Sequence, residues 1–217
     1  RRPTRVFAVR VPLGRATPRS PFAGLVDGHV SLFGQTGTVV RQPTFPQTPQ
    51  VEREPDWNGT SLLWTRGTNG VCGGQLNRLD AGQAHEVTGS STEELRTPRL
   101  SADGQWEAWV QQPCDGTASR IAVHGPAPAT RWIDVPRGMS AGVEDVSDTG
   151  LLIVQIGTTG SFQRRLLTPA DPADGGAFLT STPGCNLGAA AFDGNTAAAF
   201  EACASGLRLL HYTSIGT

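Results

Sequence analysis

The residues best suited to bond chemistry here are carboxylates, and two pairs stand out: Glu54 with Asp56, and Glu144 with Asp145. Glycosidic bond cleavage needs one carboxyl group as acid and a second as base or nucleophile, at a set separation. The pairs therefore offer the chemistry of an extracellular polysaccharide hydrolase or lyase. Acidic residues are also ordinary on loops, and nothing in the sequence sets a distance between them. Gly138-Met139-Ser140-Ala141-Gly142 matches the G-x-S-x-G nucleophile pattern. That motif needs a following helix, but Val143–Val146 and an Asp-Thr-Gly turn come next. It reads as a chance match in a glycine-rich loop, and no catalytic residue is assigned. His29, His85, His124 and His211 are scattered, and no Cys-x-x-Cys pair is present, so no metal site is expected. Phosphate-loop and dinucleotide signatures are missing from the sequence, so no cofactor is expected.

Four cysteines, an even number, point to two disulfides and an oxidising compartment. The expected location is extracellular or periplasmic, with any leader absent from this chain. A formal net charge of −1 gives no pull toward nucleic acid or anionic lipid. No apolar run approaches the roughly 18 residues of a membrane helix. Gly (27) and Pro (16) are spread along all 217 residues as punctuation, which implies many turns and short elements.

The elements that must position these groups are repeated. A short segment, a tight turn with Asp, Asn and Gly, and an apolar run recur at 24–33, 54–64, 98–110, 144–154 and 190–200. The turns fall near 27–28, 58–59, 103–104, 148–150 and 193–194. Asp-Gly and Asn-Gly supply the positive backbone angles of tight hairpins. The later turns are spaced by about the length of one four-stranded propeller blade. The runs after them, such as Leu151–Ile156, are apolar on both faces, as strands packed between two sheets must be. Further strands are expected at Gly74–Leu79, Ser119–His124, Phe162–Leu167 and Leu207–Thr213, and weaker ones at His85–Thr88, Arg131–Val135 and Ala177–Thr180. Ser91–Leu95 carries a faint helix-capping pattern and is read as a loop. The last unit lacks a fourth strand, and an orphan strand, Arg5–Val11, precedes the first. The fold predicted is all-β: one β-propeller domain spanning 1–217, with five four-stranded blades closed by that N-terminal strand. A piece of a six- or seven-bladed ring is the alternative.

Leu100-Ser101-Ala102-Asp103-Gly104 and Val146-Ser147-Asp148-Thr149-Gly150 resemble the W-S-P-D-G signature of TolB-type, WD-repeat-like propellers. Here Pro is missing between Ser and Asp, and the Ser is lost in units one, two and five. The resemblance covers residues 54–213. It implies the fold and a family containing periplasmic and secreted interaction proteins and the non-catalytic propellers of some peptidases. It transfers no partner.

In such a ring the four cysteines fall on one face. If Phe192 pairs with Thr196, Cys185 lies opposite Cys203, leaving Cys72 to join Cys114 between neighbouring blades. Asp56, Arg99 and Asp145 recur at similar positions near the first strand of three successive units. With Trp57 and Glu144 they form the candidate ligand site at the channel mouth. The competing reading is a structural Asp–Arg–Asp ion network. Trp57 could stack on a sugar or pack in the core, and Trp64, Trp106, Trp109 and Trp132 are expected to fill the wedges between blades. Asn58-Gly59-Thr60 is a formal glycosylation sequon. The function expected is a non-catalytic binding or scaffold module for a protein, peptide or glycan. The alternatives are the polysaccharide hydrolase or lyase, and the propeller domain of a larger exported enzyme. Oligomeric state is not encoded in any pattern of this kind.

Overall fold

The computed structural model describes residues 22–26, 28–34, 39–41, 50–194 and 196–212. The expected closing strand Arg5–Val11 lies outside the described residues, as does Asp27. Among the described residues all regular structure is β-strand, in five antiparallel sheets that follow one another along the chain. The first holds β1 (Phe22–Val26), β2 (His29–Phe33) and β3 (Val39–Arg41). The second holds β4 (Gln50–Trp57), β5 (Leu62–Thr68), β6 (Gly74–Asp80) and β7 (Gln83–Ser90). The third holds β8 (Glu93–Leu100), β9 (Glu107–Pro113), β10 (Arg120–His124) and β11 (Arg131–Asp134). The fourth holds β12 (Ser140–Val146), β13 (Leu152–Thr158), β14 (Ser161–Leu167) and β15 (Ala177–Phe178). The fifth holds β16 (Asn186–Asp193), β17 (Thr196–Cys203) and β18 (Gly206–Tyr212).

Each sheet is a meander whose first two strands join at one of the turn glycines. Gly28, Gly59, Gly104, Gly150 and Gly194 have φ between 59° and 108°, a region that L side chains avoid. The expected loop at Ser91–Leu95 is instead the start of a strand. Glu93 opens β8, and Leu95 pairs with Gln111 and is buried. Pairing with β9 overrides the local capping pattern, as tertiary context commonly does.

Alternation along the second strand of each sheet explains why that strand is apolar on both faces. In β5, Leu62 and Trp64 pack toward the first sheet and Leu63 toward the third. In β9, Trp109 packs toward the second sheet, and Ala108 and Val110 toward the fourth. In β13, Leu152, Val154 and Ile156 face the third sheet and Ile153 the fifth. In β17, Ala197 and Ala199 face the fourth sheet. Four apolar wedges thus join five sheets in series. Trp132 is a correction to the expected wedge filling. Ile133 takes the inward place on β11, while Trp132 is 42% exposed, under the Arg120 guanidinium at 4.0 Å and edge-on to Trp109.

First strands lie side by side, β1 on β4, β4 on β8, β8 on β12 and β12 on β16. No interface of that extent joins the fifth sheet to the first among the described residues. From β4 onward every first strand carries a bulge at the equivalent place, between Arg53 and Asp56, Arg96 and Arg99, Val143 and Asp145, and Leu187 and Ala190. Glu54 and Thr97 sit in the first two bulges with φ of 51° and 46°. Such left-handed non-glycine residues persist only where the surroundings hold them.

Candidate functional site

The bulges aim first-strand side chains at the next sheet. Asp56 is buried, and its Oδ2 accepts the Leu100 N–H at 2.7 Å. One repeat on, Arg99 Nε donates to the Glu144 carbonyl at 2.7 Å, and its Nη1 to the Pro98 carbonyl at 2.7 Å. One repeat further, buried Asp145 accepts the Phe192 N–H at 2.7 Å through Oδ2 and the Val146 N–H at 2.9 Å through Oδ1. Three charged residues at one repeat position therefore tie their own sheet to the backbone of the next. Their reach of 44, 45 and 47 residues is the repeat period itself.

A second tier runs beside the first. Glu54 Oε2 accepts the Thr97 N–H at 2.6 Å, and Thr97 Oγ1 accepts the Val143 N–H at 3.0 Å. The Glu144 carboxylate takes Arg164 Nε at 2.8 and 2.9 Å, and Arg164 Nη1 continues to the Leu187 carbonyl at 2.8 Å. Trp57 is half-buried against the wedge between the first two sheets. The predicted site residues are thus brought into one series of first strands. Each of the four carboxylates considered for bond cleavage already accepts a backbone N–H or faces a guanidinium. Ser140 of the G-x-S-x-G match opens β12, so a strand follows it.

Asn58, the sequon asparagine, is an inter-sheet tie. Its Nδ2 donates to the Ser101 carbonyl at 3.0 Å, while Oδ1 accepts the N–H groups of Thr60 and Ser61 at 3.0 and 2.8 Å. The next turn is linked in the same way, with Asp103 N–H donating to Asp148 Oδ1 at 2.9 Å.

The opposite end of the sheets carries the loops that join second to third strands and each sheet to the next. Cys72 and Cys114 are bonded there between the second and third sheets, with a Cα separation of 5.8 Å. Cys185 and Cys203 are bonded within the fifth, at 4.4 Å. The second pairing arises differently from the simple hairpin. Phe192 pairs with Ala197, not Thr196, and the bulge between Leu187 and Ala190 takes back the extra residue. Asn186 then faces Ala202, and the cysteines fall opposite one another.

The same end presents large apolar side chains that sequence reasoning missed, among them Val71, Met139 and Phe162, at 60%, 42% and 51% exposure. Their signal is an apolar residue beside or near a turn glycine, at Gly70, Gly138 and Gly160. A cavity of about 210 Å³ opens beside the Cys72–Cys114 bond, walled by Arg53, Thr65, Val71, Gly73, Glu94 and Leu95 among others. The histidines do not converge. Among the described residues, the metal-type ligands that do are Cys185, Glu201 and Cys203, whose ligand atoms lie within 4.8 Å of one another.

No family model matches the chain, and no curated protein matches it in sequence. Solved structures do. TolB from Acinetobacter baumannii superposes with a TM-score of 0.55 at 13% identity, over 90% of this chain and 47% of that one. A structure from a study of two prolyl endopeptidases gives 0.55 at 14% identity, over 91% and 31%. Kuenenia stuttgartiensis hydrazine synthase gives 0.54 at 12%, over 91% and 68%. This chain spans less than half the length of the first two. At such identities the likeness is one of fold: the protein has a propeller-type arrangement of repeated antiparallel sheets, similar to that of TolB.

Proposed function

We propose that this chain is an exported, non-catalytic propeller module that binds a protein, peptide or glycan on its loop-bearing end. The observation that carries this reading is the coincidence, on one end, of both disulfides and the exposed Val71, Met139 and Phe162. In this reading those exposed apolar side chains supply the contact area. Covalent staples keep loops ordered before binding, which lowers the entropic cost of association. Disulfides also support an extracellular or periplasmic location. The predicted channel-mouth set, Asp56, Trp57, Arg99, Glu144 and Asp145, serves in this reading to hold the sheets that carry the binding loops. We take residues 1–217 as one domain, its five sheets as five blades, and Arg5–Val11 as the strand that adds to the free edge of β18. Among the described residues β18 is the last strand of a three-stranded sheet that follows three four-stranded ones, which supports that closure.

The test is capture from the native extracellular fraction with the oxidised protein, wild type against V71D/M139D/F162D. Loss of a captured partner from the triple variant, with the fold intact by circular dichroism, is expected. Equal capture by both proteins, or none by either, would sink the reading. A second reading, the propeller domain of a larger exported enzyme, is favoured by the likeness to a prolyl endopeptidase structure of which this chain covers 31%.

A further inference from the structure

We infer that Cys185–Cys203 is a thiol-exchange site, built so that an incoming thiolate attacks Cys185 and Cys203 leaves. The two sulfurs are held just before β16 and at the end of β17, both half-buried. Arg208 on β18 faces Glu201 across the strand pair. Its Nη2 lies 2.9 Å from Cys203 Sγ and 3.6 Å from Cys185 Sγ. Its Nε lies 3.7 Å from Glu201 Oε2. Glu201 is fully buried, with one carboxylate oxygen accepting the Thr182 N–H and the other 3.5 Å from Cys203 Sγ.

The cluster has the ligand types of a soft-metal site, but a guanidinium already occupies its open side and repels a cation. A guanidinium suits an anion. The anion available is the thiolate that forms when the disulfide opens, and exchange is faster when the departing thiolate is stabilised. Proximity selects Cys203 as that leaving group. Arg208 at the same time neutralises the buried Glu201 carboxylate, which would otherwise disfavour a thiolate beside it.

The step balances with a dithiol as co-reactant. Its thiolate bonds to Cys185 Sγ, the Sγ–Sγ bond breaks, and the electron pair goes to Cys203 Sγ. The second thiol of the reductant then displaces Cys185, leaving two protein thiols and an oxidised reductant. Opening removes the covalent tie at the end of the 179–185 connection, on the loop-bearing end, so exchange would reach the proposed binding surface. The chemistry itself does not depend on that function.

The oxidised full chain is treated with graded dithiothreitol, or with glutathione as a monothiol, then alkylated and mapped by mass spectrometry. Cys72–Cys114 is the internal control. Cys185–Cys203 should open first, and the first glutathione adduct should sit on Cys185. R208Q should slow that opening about five- to tenfold without changing the control, R208K should restore part of the rate, and E201Q should accelerate it. An adduct on Cys203, prior opening of Cys72–Cys114, or an unchanged rate in R208Q overturns the inference. The first two are read on the wild-type protein, so a folding defect in a variant does not blunt the test. Partner capture is not part of the readout, so failure here and failure of the binding reading are separate results.

Discussion

At the scale of single residues, the charged groups of the first strands are structural ties whose partners are backbone amides. The Leu100 N–H is bonded to Asp56 at a buried place, and truncating Asp56 takes that acceptor away. Asp56→Ala should therefore cost about 1–3 kcal/mol in urea unfolding, and Asp56→Asn, which keeps an oxygen, less. Asn58 is engaged through both ends of its amide. In a host that glycosylates, the Asn58 sequon should remain unmodified in the folded protein by intact-mass analysis, because Nδ2 is part-buried against the Ser101 carbonyl and beside Gly104 of the next sheet, where a glycan would push the sheets apart. Asp80 gives a pH signature. Burial works to raise its pKa, but hydrogen bonds from Ser61 and Arg78, with the Arg78 charge, outweigh that and hold it below 3.8. A carboxyl depressed in the folded state adds stability above its ordinary pKa and loses it as pH falls through the lowered one. Asp80→Asn should lower the melting temperature near neutrality and flatten its decline in the acid limb, below about pH 4.

Elements are joined by turns as well as by strands. Gly150 ends the Ser-Asp-Thr-Gly turn with φ +82°, and a Cβ there would lie 2.7 Å from the Trp106 ring of the preceding sheet. A Cβ on Gly125 would meet the same ring, at 2.4 Å. The turn glycine thus does two things: it takes the left-handed backbone angle, and it leaves room for an indole between two sheets. Gly150→Ala should destabilise by more than the roughly 1 kcal/mol of a left-handed penalty alone, with loss of Trp106 near-ultraviolet ellipticity as the marker of where the damage lies. Bulges belong to this scale too. They let Asp56, Arg99 and Asp145 reach the following sheet, and one of them restores the cysteine register in the fifth.

For the whole molecule, five sheets in series leave one face without a following sheet among the described residues. Phe200 and Leu207 on that face are 51% and 76% exposed, and Ala191 stands where the preceding sheets place Asp56, Arg99 and Asp145. The two disulfides act over different lengths of chain. Cys72–Cys114 spans 42 residues and crosses two sheets, whereas Cys185–Cys203 spans 18 within one. Chain-entropy reasoning gives about 4 kcal/mol for the first and about 3 for the second. Double serine variants at each pair should reproduce that order in denaturant midpoint. A larger loss from the shorter loop would show that strain or local packing dominates.

How much of this was legible from residues alone follows from the range of the forces involved. Turn glycines, two-faced apolar strands and an even set of cysteines are local or short-period patterns, so they identify an all-β repeat and the hairpin positions directly. The recurrence of Asp56, Arg99 and Asp145 was visible as well. Their partners were not, because each lies a full repeat away on another sheet and is a backbone amide or carbonyl, which carries no side-chain signature. Bulges leave no mark on a turn count, and Ser91–Leu95 looked locally like a helix start until β9 paired with it. The exposure of Val71, Met139 and Phe162 and the meeting of Arg208 with Cys203 depend on which surfaces are left uncovered after the sheets pack. Only the tertiary structure decides that, because burial is a property of neighbours and not of the residue itself.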